Sequence, residues 1–154
     1  MTSPVELRDQ HNRPIALDIA DPYLHYITAS EADIDSQGHV NNAIYVKWMD
    51  AAAWANSVAL GYDHAKYQSL GSAFVVRRHE IDYLQPAYAG QELVVATWPC
   101  EMARFNAMRR HQIIRLNDGV TLARALTHWV YLDTKTGRPR RMEPELIAAF
   151  RPRV

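Results

Sequence analysis

The sequence has a single cysteine, Cys100, and this scarcity excludes two kinds of site. One thiol cannot form a disulfide within the chain, and it cannot supply the paired cysteines of a structural zinc site. A long apolar run is also absent, because the longest stretch without a charged side chain covers residues 51–62 and is too short to cross a bilayer. These absences favour an ordinary globular domain, with no disulfide framework and no membrane partner.

The sequence has no excess of either charge, since 17 Lys and Arg residues offset 17 Asp and Glu residues. General nucleic-acid binding and polybasic membrane binding both need a large positive field, so we expect neither partner. The balance is uneven along the chain. Residues 1–100 carry 6 basic and 12 acidic side chains, whereas residues 101–154 carry 11 basic and 5 acidic ones. A local anion site in the last third is compatible with this pattern.

The first ten residues include Glu6, Arg8 and Asp9 and have no apolar core, so we expect no signal peptide and a cytoplasmic location. Three prolines interrupt residues 1–22, which we expect to form an extended or weakly ordered arm. Residues 23–154 are expected to form one domain, because a chain of this length usually folds around a single core.

One long helix is predicted from Asn41 or Asn42 to Gly61. Apolar side chains recur at spacings of three and four between Ile44 and Val58, and an Asn at the start can accept a backbone N–H bond. Further apolar residues make the helix hydrophobic over most of its circumference. A helix of this kind is normally enclosed by other structure, so we expect a second copy of the chain to help cover it.

The remaining elements are predicted to be strands, with a short helix at the end. A strand at residues 24–28 precedes the long helix, and four more follow it, beginning near Phe74, Leu93, Met108 and Thr121. Asn117, Asp118 and Gly119 favour a hairpin turn between the last two. A terminal helix is expected from Pro144 to Phe150. The order predicts an α+β fold in which an antiparallel sheet wraps a long central helix.

The segment with the clearest chemistry is Asp-Ile-Asp-Ser-Gln-Gly-His-Val-Asn-Asn-Ala-Ile-Tyr, residues 33–45, at the start of the predicted helix. A helix N-terminus presents free backbone N–H groups and a partial positive charge, which can polarise a carbonyl oxygen. A carboxylate just upstream could attack that carbonyl or activate water beside it. The arrangement suits acyl transfer to water.

This motif, D-x-D-x-x-G-H-V-N-N-x-x-Y, resembles that of the hotdog-fold thioesterases of the 4-hydroxybenzoyl-CoA thioesterase and YbgC-like type. The resemblance extends over most of residues 24–150. It includes Ile-Asp-Tyr-Leu-Gln-Pro-Ala at 81–87, followed by Gly90, and the hairpin around residues 117–119. It implies a hotdog fold that pairs into homodimers or homotetramers. It also implies hydrolysis of acyl-CoA or acyl-carrier-protein thioesters in an active site at the subunit interface.

Carried over position by position, the resemblance makes Asp35 the catalytic carboxylate, as nucleophile or as general base. The backbone N–H near Asn42 becomes the group that polarises the carbonyl. His39 could act as a second base or could hydrogen-bond the loop, and Asp33 is expected to form a turn. Some related thioesterases carry the carboxylate on the central helix, where Asp50 is the substitute for Asp35.

Three further residues of the motif are candidate substrate contacts. Gly38 allows a positive φ or a close approach of substrate, and Asn41 caps the helix. Tyr45 is a contact candidate that could equally be a core or dimer aromatic. Coenzyme A would be part of the substrate, so we expect no separate cofactor. No His, Asp or Glu spacing on the helix suggests a metal site.

Two basic runs could meet the phosphates of coenzyme A or could simply be solvated. Guanidinium groups suit phosphate because they donate two parallel hydrogen bonds. The turn at residues 135–141 is the better candidate, with Arg138 and Arg140 as contacts. The other run comprises Arg104, Arg109, Arg110 and Arg115.

Two other functions stay open besides thioester hydrolysis. The chain could be a non-catalytic acyl-CoA-binding hotdog module, which would bind thioesters without releasing thiol. A hotdog dehydratase is the weaker alternative, because His39 does not supply the histidine in the central-helix region that such sites need. The identity of the acyl group cannot be deduced from the sequence.

Overall fold

The computed structural model describes residues 6–153, in which five strands and three α-helices occur. The strands are β1 (Tyr23–Thr28), β2 (Ser72–Tyr83), β3 (Glu92–Ala103), β4 (Asn106–Arg115) and β5 (Thr121–Asp133). The α-helices are α1 (Asn42–Ala59), α2 (His64–Leu70) and α3 (Pro144–Phe150), and a 3-10 turn covers Glu31–Asp33. The long helix, the strands and the terminal helix lie where the sequence predicts them.

The five strands form one sheet in the order β1-β3-β4-β5-β2, and every neighbouring pair is antiparallel. The chain crosses from one edge of the sheet to the other between β1 and β2, and α1 lies in that crossover. Consecutive strands β3, β4 and β5 are joined by short turns. The predicted α+β architecture, a sheet around a long helix, is confirmed.

Helix α1 packs its apolar side chains on one face of the sheet. Tyr45, Trp48, Met49 and Ala52 share a buried cluster with Leu93, Val95, Ile113, Leu122 and Ala123 of the strands. Alternation along β3 and β4 places every second side chain on this face. The packing fixes the position of the helix start, which carries the motif.

The opposite face of the sheet is covered by the N-terminal arm, which is more ordered than the sequence suggests. Leu7 and Ile15 are buried against Val94 and Ile114. The three prolines prevent a regular strand but not this packing, because single apolar side chains suffice to anchor an irregular segment. Residues 1–5 of the predicted arm lie outside the described residues.

Gln112 joins the arm to the sheet. Its side chain is fully buried, and its amide donates to the Ala16 carbonyl (3.1 Å) and to Thr121 Oγ1 (3.0 Å). Its Oε1 accepts the Asp18 N–H at 2.9 Å. The side chain thus satisfies backbone groups of the arm that a neighbouring strand would otherwise satisfy.

Helix α2 is absent from the sequence prediction. The Asp63 side chain caps it by accepting the Lys66 N–H at 2.9 Å, and Tyr67 packs beneath it, within hydrogen-bond distance of Ser57 Oγ (2.9 Å). A helix this short depends on such contacts, because isolated helices under about 12 residues are marginal in water. Tertiary packing therefore creates α2.

Strand β2 is an open edge with exposed apolar side chains. Val75 and Val76 are 46% and 38% exposed, and the register with β5 shifts between Val76 and Arg78. On α1, Trp54 and Val58 are also about half exposed. None of the helices in residues 6–153 combines the length and apolar character that a membrane crossing requires.

Replacing Gln112 by Leu should destabilise the protein by about 2 kcal/mol, because its part-buried hydrogen bonds to the backbone of Ala16 and Asp18 and to the Thr121 hydroxyl are lost. Urea unfolding monitored by circular dichroism measures this change. Gln68→Leu, at an exposed position of α2, is the matched control and should change the unfolding free energy little. Equal stability of both variants would show that Gln112 does not hold the arm.

Candidate active site

The loop before α1 is built from backbone hydrogen bonds that close on themselves. The Asp35 N–H donates to the His39 carbonyl (2.9 Å), and the Gly38 N–H donates to the Asp35 carbonyl (3.1 Å). Gly38 has φ +82°, a left-handed conformation that glycine adopts without strain. The tight turn therefore explains Gly38, and it brings Asp35 beside His39.

Asp33 and Asp35 have different surroundings. Asp33 Oδ2 accepts the Ser30 N–H at 3.0 Å, and the Asp33 carbonyl accepts the Asn41 N–H at 2.8 Å, so Asp33 forms a turn as expected. Asp35 Oδ1 accepts the Gln37 N–H at 2.9 Å. The second oxygen of the half-buried Asp35 carboxylate accepts no hydrogen bond from residues 6–153, which leaves it free for water or substrate.

The start of α1 leaves one backbone donor free beside this loop. Asn41 is the N-cap, and its side chain accepts the Ala43 N–H at 2.9 Å, while the Ile44 N–H bonds to the Asn41 carbonyl. The N–H of Asn42 has no hydrogen-bond partner in the described part of the chain. The combination of a carboxylate and an unpaired helix N–H can activate water and polarise a carbonyl.

The turn after β2 holds the helix start in place. The Val40 N–H donates to the Ala87 carbonyl (2.9 Å), and the Ala87 N–H donates to the Tyr45 hydroxyl (3.1 Å). The Tyr83 hydroxyl donates to the Asn42 carbonyl (2.9 Å). Tyr45 is buried and engaged within the chain, so the structure gives it a positioning role.

Two aromatic residues that sequence reasoning did not single out border this place. The His39 ring meets the Tyr88 ring edge-on, with centroids 5.3 Å apart, and Tyr83 packs edge-on against Tyr45. Both Tyr83 and Tyr88 are partly exposed. The available signal for Tyr83 is the stretch at residues 81–87 that supports the family resemblance, and Tyr88 directly follows this stretch, but only the fold brings the two side chains to the helix start.

The predicted phosphate contacts lie at the other end of β2. The Thr134 N–H bonds to the Gly71 carbonyl, so the turn with Arg138 and Arg140 adjoins the first residue of β2, whereas the Asp35 loop adjoins the turn after its last residue. Twelve residues of strand separate these ends by about 35 Å. One chain therefore does not bring Arg138 or Arg140 to Asp35.

The arginines of the two basic runs have unlike surroundings. Arg140 donates to Glu143 and to the Leu70 carbonyl, so its guanidinium is occupied within the chain. Arg138 is exposed. In the other run, Arg115 pairs with Asp118 at 2.8 Å, and Arg109 is 5% exposed. Of the two alternatives left open for this run, solvation therefore does not hold for Arg109.

A cavity of about 320 Å³ lies under the second half of α1. Its lining begins at Asp50 along the helix, about 12 Å beyond Asn42 by helical rise, and includes no residue from 33–45. The two candidate carboxylates thus occupy separate places: Asp35 lies on the loop, and Asp50 lies at the rim of the cavity.

A buried histidine, His111, and a half-buried one, His79, lie on the sheet. His79 Nδ1 and His111 Nε2 both approach Thr127 Oγ1, at 2.9 and 3.3 Å. Burial lowers the pKa of His79, and it lowers the pKa of His111 well below its ordinary value. Arg109 and His79 lower the pKa of His111 further by repulsion. Folding therefore disfavours the protonated form of both rings, and most strongly that of His111.

Residues 6–153 contain no group of three His, Cys, Asp or Glu side chains placed to hold a metal ion. At the helix start, the polar groups are one carboxylate from the loop and one backbone N–H from α1, and they do not form a cluster of metal ligands. What the arrangement offers is a carboxylate, a helix N–H and two aromatic side chains.

A family profile described as a thioesterase-like superfamily matches residues 30–150, which include the loop, α1 and the whole sheet except β1. The chain belongs to this superfamily. The resemblance that the motif indicates is therefore confirmed at the level of the superfamily.

The chain is also similar in sequence to a curated protein. The L-carnitine dehydrogenase/betainyl-CoA thioesterase of Agrobacterium fabrum is 30% identical over 130 residues, which cover 82% of this chain and 26% of that protein. The chain thus spans about a quarter of the length of this curated relative.

Two solved structures share the fold of this superfamily member. The 1,4-dihydroxy-2-naphthoyl-CoA thioesterase from Synechocystis superposes with a TM-score of 0.76 at 19% identity, covering 83% of this chain and 94% of that one. The DHNA-CoA thioesterase from Staphylococcus aureus gives 0.76 at 20% identity, covering 83% and 87%. The predicted hotdog fold is confirmed.

Acidification should destabilise this thioesterase-like domain through His111 and, to a smaller extent, His79. The unfolded chain binds protons at both residues near pH 6.5, whereas folding lowers the pKa of His79 and lowers that of His111 well below this value, so stability is complete above that pH and falls below it. Urea unfolding at pH 7.5, 6.5 and 5.5 measures the fall. His111→Asn should flatten it, whereas His11→Asn, at an exposed site in the arm, should not. An unchanged slope in His111→Asn would contradict the assignment.

Proposed function

We propose that the protein hydrolyses acyl thioesters of coenzyme A or of acyl-carrier protein to a free acid and a thiol. The observation that carries the proposal is a free oxygen on the Asp35 carboxylate, in the loop that leads into α1, together with the unpaired N–H of Asn42 at the helix start, in a chain of the thioesterase-like superfamily. The names of the relatives, all thioesterases, support the same reaction.

Each group has a defined task in this reaction. The thioester carbonyl oxygen accepts the Asn42 N–H, whose helix-dipole charge stabilises the negative charge that develops there. Asp35 either takes a proton from the attacking water or attacks the carbonyl carbon itself and forms an anhydride that water then cleaves. The carbon–sulfur bond breaks, and the leaving thiolate takes the proton that Asp35 removed from water in the first route, or a proton from solvent in the second. His39 and Tyr88 form one wall of this place.

A second copy of the chain completes the site in our proposal. If the β2 edges of two copies pair antiparallel about a two-fold axis, the Tyr83 end of one strand lies beside the Ser72 end of the other. Such pairing places the turn with Arg138, and the cavity beside Phe74, near the Asp35 loop of the partner. The exposed Val75 and Val76 then become buried. Arg138 is free to meet a phosphate of coenzyme A, which belongs to the substrate.

The alternative is a non-catalytic module that binds acyl-CoA and releases no thiol. A thiol-trapping assay over a panel of acyl-CoA thioesters separates the two functions, since only hydrolysis gives free coenzyme A. A dehydratase would instead hydrate an enoyl-CoA in a direct assay.

Asp35→Asn should lower kcat/KM by roughly 100-fold or more, because the amide can neither take the proton nor attack the carbonyl. Thiol release from a good substrate measures this loss. Asp21→Asn, at an exposed carboxylate outside the sheet and away from the β2 edge, is the matched control and should keep full activity. Retained activity in Asp35→Asn with loss in Asp50→Asn would make the helix carboxylate the catalytic group.

The protein should elute as a homodimer or larger homo-oligomer in size-exclusion chromatography with light scattering. Val76→Arg should shift the mass toward a single chain and lower activity, because a charge then lies in the buried edge. Tyr26→Arg, at an exposed aromatic on the opposite edge strand β1, is the control and should leave the mass unchanged. A wild-type monomer with full activity would overturn the interface site.

A further inference from the structure

The cavity under α1 has mainly apolar and aromatic walls. Tyr67, Phe74, Trp129 and Phe150 line it, and Asp50, Trp54 and His64 are exposed residues at its rim. Its volume is about 320 Å³, and an apolar cavity of about 150 Å³ holds a benzene molecule. There is room for one ring, or a short chain, together with a polar end group.

One buried cation faces this space. Arg109 lines the cavity, and its Nη1 donates to Asn56 Oδ1 (3.0 Å) and to Thr97 Oγ1 (3.2 Å). Its other two nitrogens donate no hydrogen bond to residues 6–153. In that range, His111 Nδ1 is the only fully enclosed side-chain nitrogen or oxygen without a partner, so the two free nitrogens of Arg109 are not fully enclosed by protein. Because Arg109 lines the cavity, these nitrogens open onto it.

No acid in the described residues neutralises this cation. Arg109 takes part in none of the ion pairs formed within residues 6–153, and the one acid in the cavity lining, Asp50, is an exposed rim residue. Burial lowers the pKa of Arg109 to about 10, against the weak opposing effects of Tyr67 and Cys100, so the group is still charged at neutral pH. A buried charge without a counter-ion is costly, and a ligand with a negative charge would remove that cost.

We propose that the cavity binds an organic carboxylate, with the carboxylate paired to Arg109 and the apolar body against the aromatic walls. A guanidinium can donate two parallel hydrogen bonds to a carboxylate, and Nε and Nη2 lie on one edge of its planar fork. A phosphate ester fits less well, because one cation and apolar walls do not compensate two charges. A quaternary ammonium would suit the aromatic walls, but Arg109 repels it.

Two sources could supply this carboxylate. One is a free organic acid, including a product of hydrolysis. The other is the far end of an acyl group that is still joined to its thiol, as in the monothioester of a dicarboxylic acid. The second source rests on the proposed thioesterase function and on a paired copy that brings Asp35 to the cavity mouth, whereas the binding itself does not.

Ligand titration followed by intrinsic tryptophan fluorescence, to which Trp54 and Trp129 of the cavity lining contribute, tests the binding directly. The probes are benzoate and glutarate, each against its neutral amide, with phenyltrimethylammonium as the cationic probe. Saturable binding of at least one acid, at least tenfold tighter than its amide and absent for the cation, is the expected result. Equal binding of acids and amides, preference for the cation, or no binding of any probe would overturn the proposal.

Arg109→Met should weaken binding of the acid at least tenfold while leaving the amide unaffected. Arg110→Met, one position along β4 with an exposed side chain, is the matched control and should bind as the wild type does. If Arg109→Met fails to fold, Arg109→Lys serves instead, because it keeps the charge but loses the planar fork and should bind the acid more weakly. Unchanged binding in the folded Arg109 variant would overturn the proposal.

Kinetics separate the two sources. If the acyl group supplies the carboxylate, glutaryl-CoA should have a KM at least tenfold below that of hexanoyl-CoA, and Arg109→Met should abolish the difference. If a free acid is the ligand, the two KM values should be alike while the titration still shows binding. Binding that persists without any thiol release would retain the anion site and reject the proposed hydrolysis.

Discussion

The candidate site depends on the hydrogen bonds that fix the start of α1. The Asn41 N–H bonds to Asp33, and the Val40 N–H bonds to Ala87, so the loop before the helix is tied both to itself and to the turn after β2. Each bond uses a backbone group that would otherwise be unsatisfied at a partly buried position. Because these partners are occupied, the Asn42 N–H is the donor left over at the helix start, and Asp35 is held in the loop that leads into it.

Helix α1 also forms a wall of the cavity that contains Arg109. Its first turn faces the loop, and its later turns cover the cavity, so α1 serves as a common wall over about 22 Å from Asn42 to Ser57. Between the helix and the sheet, neutral His111 and charged Arg109 are two strand positions apart on β4. Apolar side chains at both positions would make the folded protein more stable. The polar His111 and Arg109 therefore distinguish this half of the interior from the apolar core near Tyr45.

The sequence predicts the elements whose signals are local. The three-and-four spacing and the Asn41 cap predict α1, and alternation with turn residues predicts the strands, because burial on one face dictates these patterns. Helix α2 was missed because its stability comes from Tyr67 packing and one cap. The arm was predicted to be weakly ordered because its contacts, such as Gln112 with Ala16, join residues nearly a hundred positions apart.

The residues of the candidate site also fall into two groups, those that a local motif predicts and those that only the fold brings together. Asp35, Gly38 and Asn42 stand in one short motif and could be named from it, whereas Tyr83, Tyr88 and Ala87 reach the helix start only through the fold. The sequence groups Arg109 with its neighbours in a basic run that could contact phosphate or be solvated, and neither alternative predicts a buried side chain. In a strand, however, neighbouring positions point to opposite faces, so Arg110 is exposed while Arg109 lies inside with Ala107, His111 and Ile113.

The register shift in β2 limits open-ended association of edge strands, which would lead to fibres. An exposed, regular edge strand is a template onto which further strands can add without limit, which leads to fibres. The register shift between Val76 and Arg78 interrupts the even row of edge N–H and C=O groups beside the exposed valines. A partner must match that interruption to pair along the full strand. The edge therefore selects a complementary surface, and it resists open-ended growth.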